Sequence, residues 1–222
     1  LQESDLWLQN KKKGKGKSIF SKIKMLVSKK YRKIFFLCLI LCIFGMAAYW
    51  FTYTWLPDYL CNDKGITLTK STVGIIVMQI GGVLGYFSFG GVSDRIGRRP
   101  SFTIYAVIMA VSVSMITVLW NAIVSMPSII LLFMFLVGFG TGYFGGFGPL
   151  FSEQFPTKIR STGLGTIFNI SRGVQFVTPV AIAMISATYK MSAGIFLAAV
   201  FAILGGIWIW TLPETQGTEL TE

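Results

Sequence analysis

A short charged segment, Gly90–Arg99, separates two long apolar runs. This feature constrains the fold of the chain more than any other. The runs on either side, Thr69–Val92 and Ser101–Trp120, are too long and too apolar for most soluble helices. About 20 apolar residues in a helix cross the roughly 30 Å hydrocarbon core of a bilayer, whereas the charged side chains of the segment are too polar to enter it. We therefore expect the chain to cross a membrane, turn on the charged loop and cross back.

Four further runs have the same character, so the chain holds six candidate membrane helices. Hydrophobic residues make up 53% of it and charged residues 13%, whereas a soluble domain carries about 25% charged residues. The runs are continuous rather than alternating, which favours helices over the strands of a membrane β-barrel. We predict an all-α membrane protein with a six-helix unit at residues 34–212 and a cytoplasmic tail at 213–222. The runs are Ile34–Leu56, Thr69–Val92, Ser101–Trp120, Ser128–Leu150, Thr162–Ile185 and Met191–Leu212.

Basic residues are distributed unevenly between the two ends of these runs. Of the 20 Lys and Arg residues, 16 fall in the segment 1–33, the loop 93–100 and the connection after the fourth run, against three at the other ends. Because loops rich in Lys and Arg stay in the cytoplasm, both termini are predicted to be cytoplasmic in a plasma membrane. The net charge of +11 lies mostly beside the membrane, so we expect anionic lipid rather than nucleic acid as its partner.

Residues 1–33 have the composition of a basic cytoplasmic linker. A charge run with two glycines, Lys11–Lys17, precedes Ser18, which is a suitable helix cap. Apolar residues then recur at helical spacing among lysines, which predicts a helix lying on the inner membrane surface. An ordinary basic tail is the alternative. The apolar residues are Ile19, Phe20, Ile23, Leu26 and Val27.

The sequence offers no arrangement of residues typical of an enzyme. It has no histidine, and its three cysteines, Cys38, Cys42 and Cys61, lack metal-site spacing. Neither a metal nor another cofactor is therefore predicted. The glycines of the fourth run lie inside a span with no strand before them, so they do not form a phosphate-binding loop.

One charged residue, Arg172, lies close to the centre of the fifth run. An arginine at that depth costs about 2.5–3.5 kcal/mol on insertion scales, and no carboxylate of this chain is predicted at the same depth. Arg172 therefore has to face a watery cavity, an acid outside this chain or an anionic ligand. Its planar guanidinium suits a carboxylate, so we predict that it binds one. A static ion pair with an acid outside this chain is the alternative.

Other polar and aromatic side chains join Arg172 as candidates for a binding site. Asn169 and Gln175 lie three residues before and after it, so the three side chains fan across one sector of the helix. Pro179 cannot donate to the Gln175 carbonyl, which we expect to be free for a partner. Aromatic residues crowd the outer end of the first run as an interfacial belt, and those nearest mid-membrane are candidates to line a pathway. The further candidates are Tyr49 and Trp50 in that run, Tyr143 in the fourth and Gln79 in the second.

Three motifs follow the second, fourth and sixth runs. They are Gly90-x-x-x-Asp94-Arg95-x-Gly97-Arg98-Arg99, Glu153-x-Phe155-Pro156-x-x-x-Arg160 and Pro213-Glu214-Thr215-x-Gly217. The first resembles the loop motif of the major facilitator superfamily, and the second is similar to a segment of sugar porters and organic-acid transporters. The third resembles the ending of sugar porters. In this order the three motifs identify the chain as similar to one half of such a transporter.

The first two motifs predict a gate at the cytoplasmic ends. Gly90 would let a second helix pass close, and Gly97 would permit the tight turn. Asp94 lies at a helix end where an arginine can pair with it. The predicted latch pairs are Asp94 with Arg98 or a neighbouring arginine, and Glu153 with Arg160 or Arg98. The gating set is Gly90, Asp94, Arg95, Gly97, Arg98, Arg99, Glu153 and Arg160.

The resemblance implies a partner for these six helices. The basic linker, the missing initiator methionine and the motif positions suggest a C-terminal six-helix half, with an N-terminal six-helix half as partner. Such a half consists of two inverted three-helix repeats. The first, second, fourth and fifth runs would then face a central cavity, and the glycine-poor third and sixth would face lipid.

The resemblance also implies a substrate class. Gly163–Pro179 and the segment YWFTYTWLPDYL are most similar to sialate and aromatic-acid proton symporters, whereas the sixth run ends like a sugar porter. This implies secondary active transport of a small organic anion, coupled to protons by alternating access. Sugar–proton symport, and a half-transporter without activity of its own, are the alternatives. Because no titratable acid is predicted mid-membrane, a carboxylate outside this chain would have to carry the proton.

Overall fold

The computed structural model describes residues 19–216, and six of its helical segments are long and apolar enough to span a membrane. All six predicted runs form spans, and residues 19–216 contain no strand, which confirms the all-α architecture. Most spans extend past the predicted runs, since a helix can continue into the polar headgroup region of a bilayer. Spans 1 to 6 are Arg32–Asp63, Leu68–Ile96, Arg98–Thr117, Pro127–Glu153, Thr157–Thr188 and Met191–Thr211.

Spans 1, 4 and 5 are interrupted, whereas spans 2 and 3 are single helices. Span 1 ends in a π-helical turn, Tyr59–Asp63, and span 4 contains a 3₁₀ turn, Thr141–Tyr143. A further 3₁₀ turn, Ile209–Thr211, ends span 6. The α-helices are α1 (Ile19–Leu26), α2 (Arg32–Tyr53), α3 (Leu56–Asp58), α4 (Leu68–Ile96), α5 (Arg98–Thr117), α6 (Trp120–Ile123), α7 (Pro127–Gly140), α8 (Phe144–Glu153), α9 (Thr157–Val174), α10 (Val177–Thr188) and α11 (Met191–Trp208).

The first three spans and the last three make equivalent contacts. Span 2 packs on span 4 as span 5 packs on span 1, and span 6 packs on span 1 as span 3 packs on span 4. Spans 3 and 6 pack on each other. Since each set of three crosses the membrane an odd number of times, the second set runs in the opposite direction. The contact pattern therefore has the form of the predicted inverted repeats.

Spans 2 and 4 approach so closely that their backbones touch. A Cβ atom added to Gly138 would overlap the carbonyl oxygen of Met78, and one added to Gly81 would overlap that of Phe135. Small residues allow such an approach between membrane helices, where close packing replaces the hydrophobic effect as the driving force. Spans 2 and 4 therefore form a tightly packed pair within the bundle.

The first described helix, α1, packs beneath span 5. Leu26 is fully buried there and lies 3.2 Å from the position of a Cβ atom on Gly163. Phe20 on the same helix is 78% exposed, and Val27 just after it is also exposed. The helix forms where the apolar spacing predicts it, while its position on a membrane surface stays a prediction. The predicted cap Ser18 and the charge run Lys11–Lys17 lie outside the described residues.

Candidate functional site

Arg172 lies at the middle of span 5, as the 16th of its 32 residues. Its side chain is exposed, and it forms no hydrogen bond or ion pair with any residue in the range 19–216. It belongs to the last turn of α9, where the helix dipole favours a positive charge. The five described carboxylates lie at the ends of the bundle rather than beside it. They are Asp58, Asp63, Asp94, Glu153 and Glu214.

The helix is interrupted at Gln175 and Phe176, three residues after Arg172. The N–H groups of Gln175 and Phe176 bond the carbonyls of Arg172 and Gly173 at 3.1 and 3.3 Å, and Thr178 N–H bonds the Gln175 carbonyl at 3.0 Å. These are 3₁₀-type bonds, which tighten a helix end. The prediction that Pro179 leaves the Gln175 carbonyl free is therefore wrong, because the N–H of Thr178 takes the place of the missing donor.

Arg172 opens onto a groove of about 340 Å³ between spans 1 and 5, which we call the Arg172 groove. Its walls are largely apolar, and its polar groups come mainly from span 5. The indole Nε1 of Trp55 is buried and has no hydrogen-bond partner among the described residues. The groove thus holds an unpaired cation, and one residue that lines it carries a buried N–H group without a partner in the described part of the chain. Its lining residues are Trp50, Thr54, Trp55, Arg172, Gln175, Phe176, Thr178 and Pro179.

Two of the predicted neighbours of Arg172 line this groove with it, namely Trp50 and Gln175. The Gln175 side chain is buried and occupied locally, because its Nε2 donates to the Ser171 carbonyl at 3.1 Å and its Oε1 accepts from the Thr178 hydroxyl at 3.2 Å. Gln175 therefore bridges the interruption in span 5. Trp50, 37% exposed, forms an apolar wall.

The remaining predicted site residues lie elsewhere. Tyr49 stacks on Tyr53 with ring centroids 4.2 Å apart. Tyr143 is 1% exposed, and its hydroxyl donates to the Gly45 carbonyl at 3.1 Å, so it belongs to the packed core. Asn169 lines a second groove, of about 440 Å³, next to α1. Gln79 is exposed on span 2. Of the predicted binding-site residues, the structure therefore brings together only Arg172, Gln175 and Trp50. The other four lie outside the Arg172 groove.

Arg98 organises the end of the bundle where spans 2, 3 and 4 meet the C-terminal segment. Its guanidinium donates to Asp94 at 2.6 Å and to Glu153 at 3.2 Å, and also to the hydroxyl of Ser93 at 2.6 Å. We call Asp94, Arg98, Glu153 and Glu214 the charged cluster. Its central arginine bridges two spans, so the two predicted latch pairs share one cation.

The other predicted gating residues have separate contacts. Arg160 does not pair with Glu153, and its Nε instead donates to the carbonyls of Ser152 and Phe155 at 2.9 and 3.2 Å. The reason is that Arg160 lies beside carbonyls around the end of span 4, where the last carbonyls of a helix lack backbone donors. Arg99 donates to the Leu212 carbonyl. Arg95 is exposed and has no ion pair within residues 19–216.

The two motif glycines differ in what they do. Gly97 has a φ of +101°, so the turn between spans 2 and 3 needs a glycine, as predicted. A Cβ atom added to Gly90 would meet no described atom within 4 Å. Within the described residues no helix therefore passes close to Gly90, contrary to our expectation.

Glu214 has a contact that the sequence did not reveal. Its carboxylate accepts hydrogen bonds from the backbone N–H groups of Arg98 and Arg99 at 2.9 and 3.0 Å, so it caps the start of span 3. Burial would raise the pKa of this carboxyl, but these bonds and those from the N–H groups of Thr215 and Gln216 outweigh burial and lower the pKa. Glu214 therefore stays ionised at neutral pH, when its charge opposes the positive end of the helix dipole.

A family model described as "Sugar (and other) transporter" matches residues 2–222, nearly the whole chain. The chain belongs to this sugar transporter family. The family lies within the major facilitator superfamily, so the resemblance carried by the three motifs is confirmed. Its members are transporters rather than enzymes.

Transport proteins of three bacteria resemble the chain over most of its length. A provisionally named metabolite transport protein of Haemophilus influenzae is 32% identical over 75% of this chain and 40% of its own length. The sialic acid transporter NanX of Escherichia coli is 30% identical over 89% and 47%, respectively. The cis,cis-muconate transport protein of Acinetobacter baylyi is 25% identical over 85% and 45%. The chain thus spans less than half the length of each of these relatives.

Proposed function

We propose that an assembly containing this chain transports small organic anions across a membrane, and that Arg172 binds the carboxylate of the substrate. The observation that carries this proposal is an exposed arginine at mid-span with no counter-charge among the described residues. An arginine in that position is costly unless an anion or water neutralises it. A carboxylate that enters the Arg172 groove would supply the missing charge.

The groove has the chemistry to orient such an anion. A guanidinium holds a carboxylate through two parallel N–H bonds, and the unpaired Nε1 of Trp55 is a further donor to an acceptor atom. Trp50 and Phe176 supply apolar walls for the rest of the molecule. A volume of about 340 Å³ suits a small metabolite rather than a polymer. The names of two relatives, which denote muconate and sialic acid, support an acidic substrate.

The proposal includes a second six-helix half as partner. Spans 2 and 5 bury the smallest share of their residues, and span 5 carries exposed apolar side chains such as Phe176, which lines the Arg172 groove, and Val177. In this proposal the second half closes the open side of the Arg172 groove. Rocking of the two halves about this groove would give alternating access. If transport is coupled to protons, the proton binds to a carboxylate of the partner half. We also propose that the chain lies in a plasma membrane with both termini on the cytoplasmic side.

The test compares an acid with its neutral ester. Proteoliposomes are prepared with the chain alone and with the chain co-expressed with the N-terminal half of a relative, and uptake of labelled sialic acid and of its methyl ester is measured. We expect the paired halves to take up the acid at least about tenfold faster than the ester, since a neutral ligand loses a charge-assisted hydrogen bond pair.

The controls separate the alternatives. Empty liposomes and the N-terminal half alone give the background, and labelled glucose tests sugar transport. Equal uptake of acid and ester, or a preference for glucose, would contradict the anion proposal. Uptake by the chain alone would contradict the need for a partner half, and no uptake above background by either preparation would contradict transport.

The charged cluster is proposed to act as the latch of this carrier. The Asp94 side chain is 67% exposed and its pair with Arg98 spans only 2.6 Å, whereas Glu153 is largely buried. Replacing Asp94 with asparagine should slow turnover by about 1.4- to fivefold, because an exposed ion pair contributes about 0.2–1 kcal/mol and 1.4 kcal/mol corresponds to about a factor of ten. The thermal unfolding midpoint should hardly change. Turnover is measured as the initial rate of acid uptake at saturating substrate.

A matched control is Asp58→Asn, at the opposite end of the bundle, where the carboxylate contacts Asn62. This variant should transport like the parent chain. Undiminished turnover of Asp94→Asn would argue against the latch.

A further inference from the structure

A crevice of about 450 Å³ opens at the end of the bundle opposite the charged cluster, and it shares no lining residue with the Arg172 groove. The loop after span 1, the start of span 2 and the start of span 4 form it. None of the residues that line it is acidic. Its polar wall carries Lys70 and Ser71, and its apolar wall carries Val73, Ile130, Leu131 and Met134.

The polar wall has the features of an anion site. Helix α4 is 29 residues long and begins at Leu68, and Thr67 before it makes no side-chain capping bond. The first N–H groups of such a helix lack intrahelical partners and attract a negative charge. Lys70 adds a full positive charge in the first turn and forms no ion pair among the described residues.

Ser71 is the independent sign that something binds here. It is 2% exposed, and its hydroxyl has no hydrogen-bond partner within residues 19–216. A buried hydroxyl without a partner is unfavourable, and serines in helices usually avoid it by bonding to a carbonyl one turn back. Ser71 lines the crevice instead. A ligand oxygen in the crevice would satisfy its hydroxyl.

The apolar wall extends to the outside of the bundle. Val73 and Ile76 on span 2 are 46% and 54% exposed, and Val124 and Met126 beside the start of span 4 are similarly exposed. This surface lies at a membrane end of two spans, where the surrounding solvent is lipid. An anionic head beside Lys70 and Ser71 would therefore continue into an apolar tail along Val73 and Met134.

We propose that this crevice binds an anionic phospholipid of the surrounding bilayer. The phosphate lies at the start of α4, with Lys70 as its counter-charge and Ser71 as a hydrogen-bond donor. One acyl chain lies along Val73, Ile130 and Met134. This site is independent of the proposed transport activity.

The test is lipid binding to the purified chain in detergent, measured by native mass spectrometry with phosphatidylglycerol and phosphatidylcholine. The parent chain should bind phosphatidylglycerol about tenfold more tightly. The double variant Lys70→Gln, Ser71→Ala should lose this preference, since it lacks both polar groups. Lys70 is exposed and Ser71→Ala removes only one oxygen atom from a buried position, and size-exclusion chromatography checks that the variant is folded.

The matched control is Lys190→Gln, which removes an exposed lysine from the loop between spans 5 and 6 at the same end and should keep the preference. Equal affinity for the two lipids, or an equal loss in Lys190→Gln, would overturn the proposal. Inorganic phosphate is added as a competitor. Complete displacement of phosphatidylglycerol by phosphate would show a site for a free anion and would also overturn the lipid assignment, whereas weak competition would support it.

Discussion

Replacing Arg172 with methionine is expected to lower the uptake of an acid substrate by at least about a hundredfold. The change removes two charge-assisted hydrogen bonds to the carboxylate, each of about 1.5–3 kcal/mol, and each 1.4 kcal/mol corresponds to about a factor of ten. Arg172→Lys keeps the charge but not the planar fork, so we expect an apparent affinity about tenfold weaker. Initial uptake rates over a range of substrate concentrations in proteoliposomes with both halves measure the two effects.

The matched control is Lys158→Gln, which removes an exposed positive charge from the same span and should leave uptake unchanged. Unchanged affinity of Arg172→Lys for an acid substrate would defeat the carboxylate assignment. If Arg172 instead forms a static ion pair with the other half, its replacement would reduce the amount of the paired complex. Size-exclusion chromatography of the co-expressed halves therefore distinguishes a ligand contact from an assembly contact.

Gly138→Ala is expected to destabilise the six-span bundle by about 3 kcal/mol or more, towards or beyond the upper end of what overpacking normally costs. The added Cβ would overlap the Met78 carbonyl oxygen. That oxygen is part of a helix backbone, so no rotamer change can relieve the overlap, and spans 2 and 4 have to move apart. The thermal unfolding midpoint in detergent, followed by tryptophan fluorescence, measures the loss.

Span 2, on which Gly138 packs, supplies the control, Gly91→Ala. A Cβ atom there would meet no described atom within 4 Å, and alanine favours a helix over glycine by about 1 kcal/mol. The control should therefore unfold at the same temperature as the parent chain or slightly higher. Equal losses in the two variants would show that the contact between spans 2 and 4 does not determine stability.

The number and class of the spans could be predicted because apolar length alone decides which segments fit a bilayer. The interruptions could not. The interruption of span 5 at Gln175 and Phe176 goes with a bond from the Thr178 N–H to the Gln175 carbonyl, and the extension of span 1 to Asp63 goes with a π-helical turn. In each case two local hydrogen-bond patterns have nearly equal free energy. Packing against neighbouring helices then selects one of them, and the sequence alone does not show that packing.

Some residues of the candidate site could likewise be predicted from the sequence, and others could not. Arg172 could be recognised from the sequence because a charge within an apolar run carries a free-energy cost in a membrane, whichever residues surround it. The sequence does not show which way Tyr143 faces, because a tyrosine hydroxyl can form its hydrogen bond either in a binding site or in the core. In the structure it donates to the Gly45 carbonyl in the core. Glu214 was missed because its partners are 115 and 116 residues away. Only the folded chain brings that carboxylate to the start of span 3.

The cap that Glu214 provides sets a practical rule for handling this protein. An affinity tag or fluorescent fusion joined before Pro213 would remove the carboxylate from the N–H groups of Arg98 and Arg99, and it would also remove the Gln216 amide from the Asp94 carbonyl. A fusion placed beyond Gln216 leaves these bonds intact. Reporter designs for expression screening should therefore keep the chain whole at least to that residue.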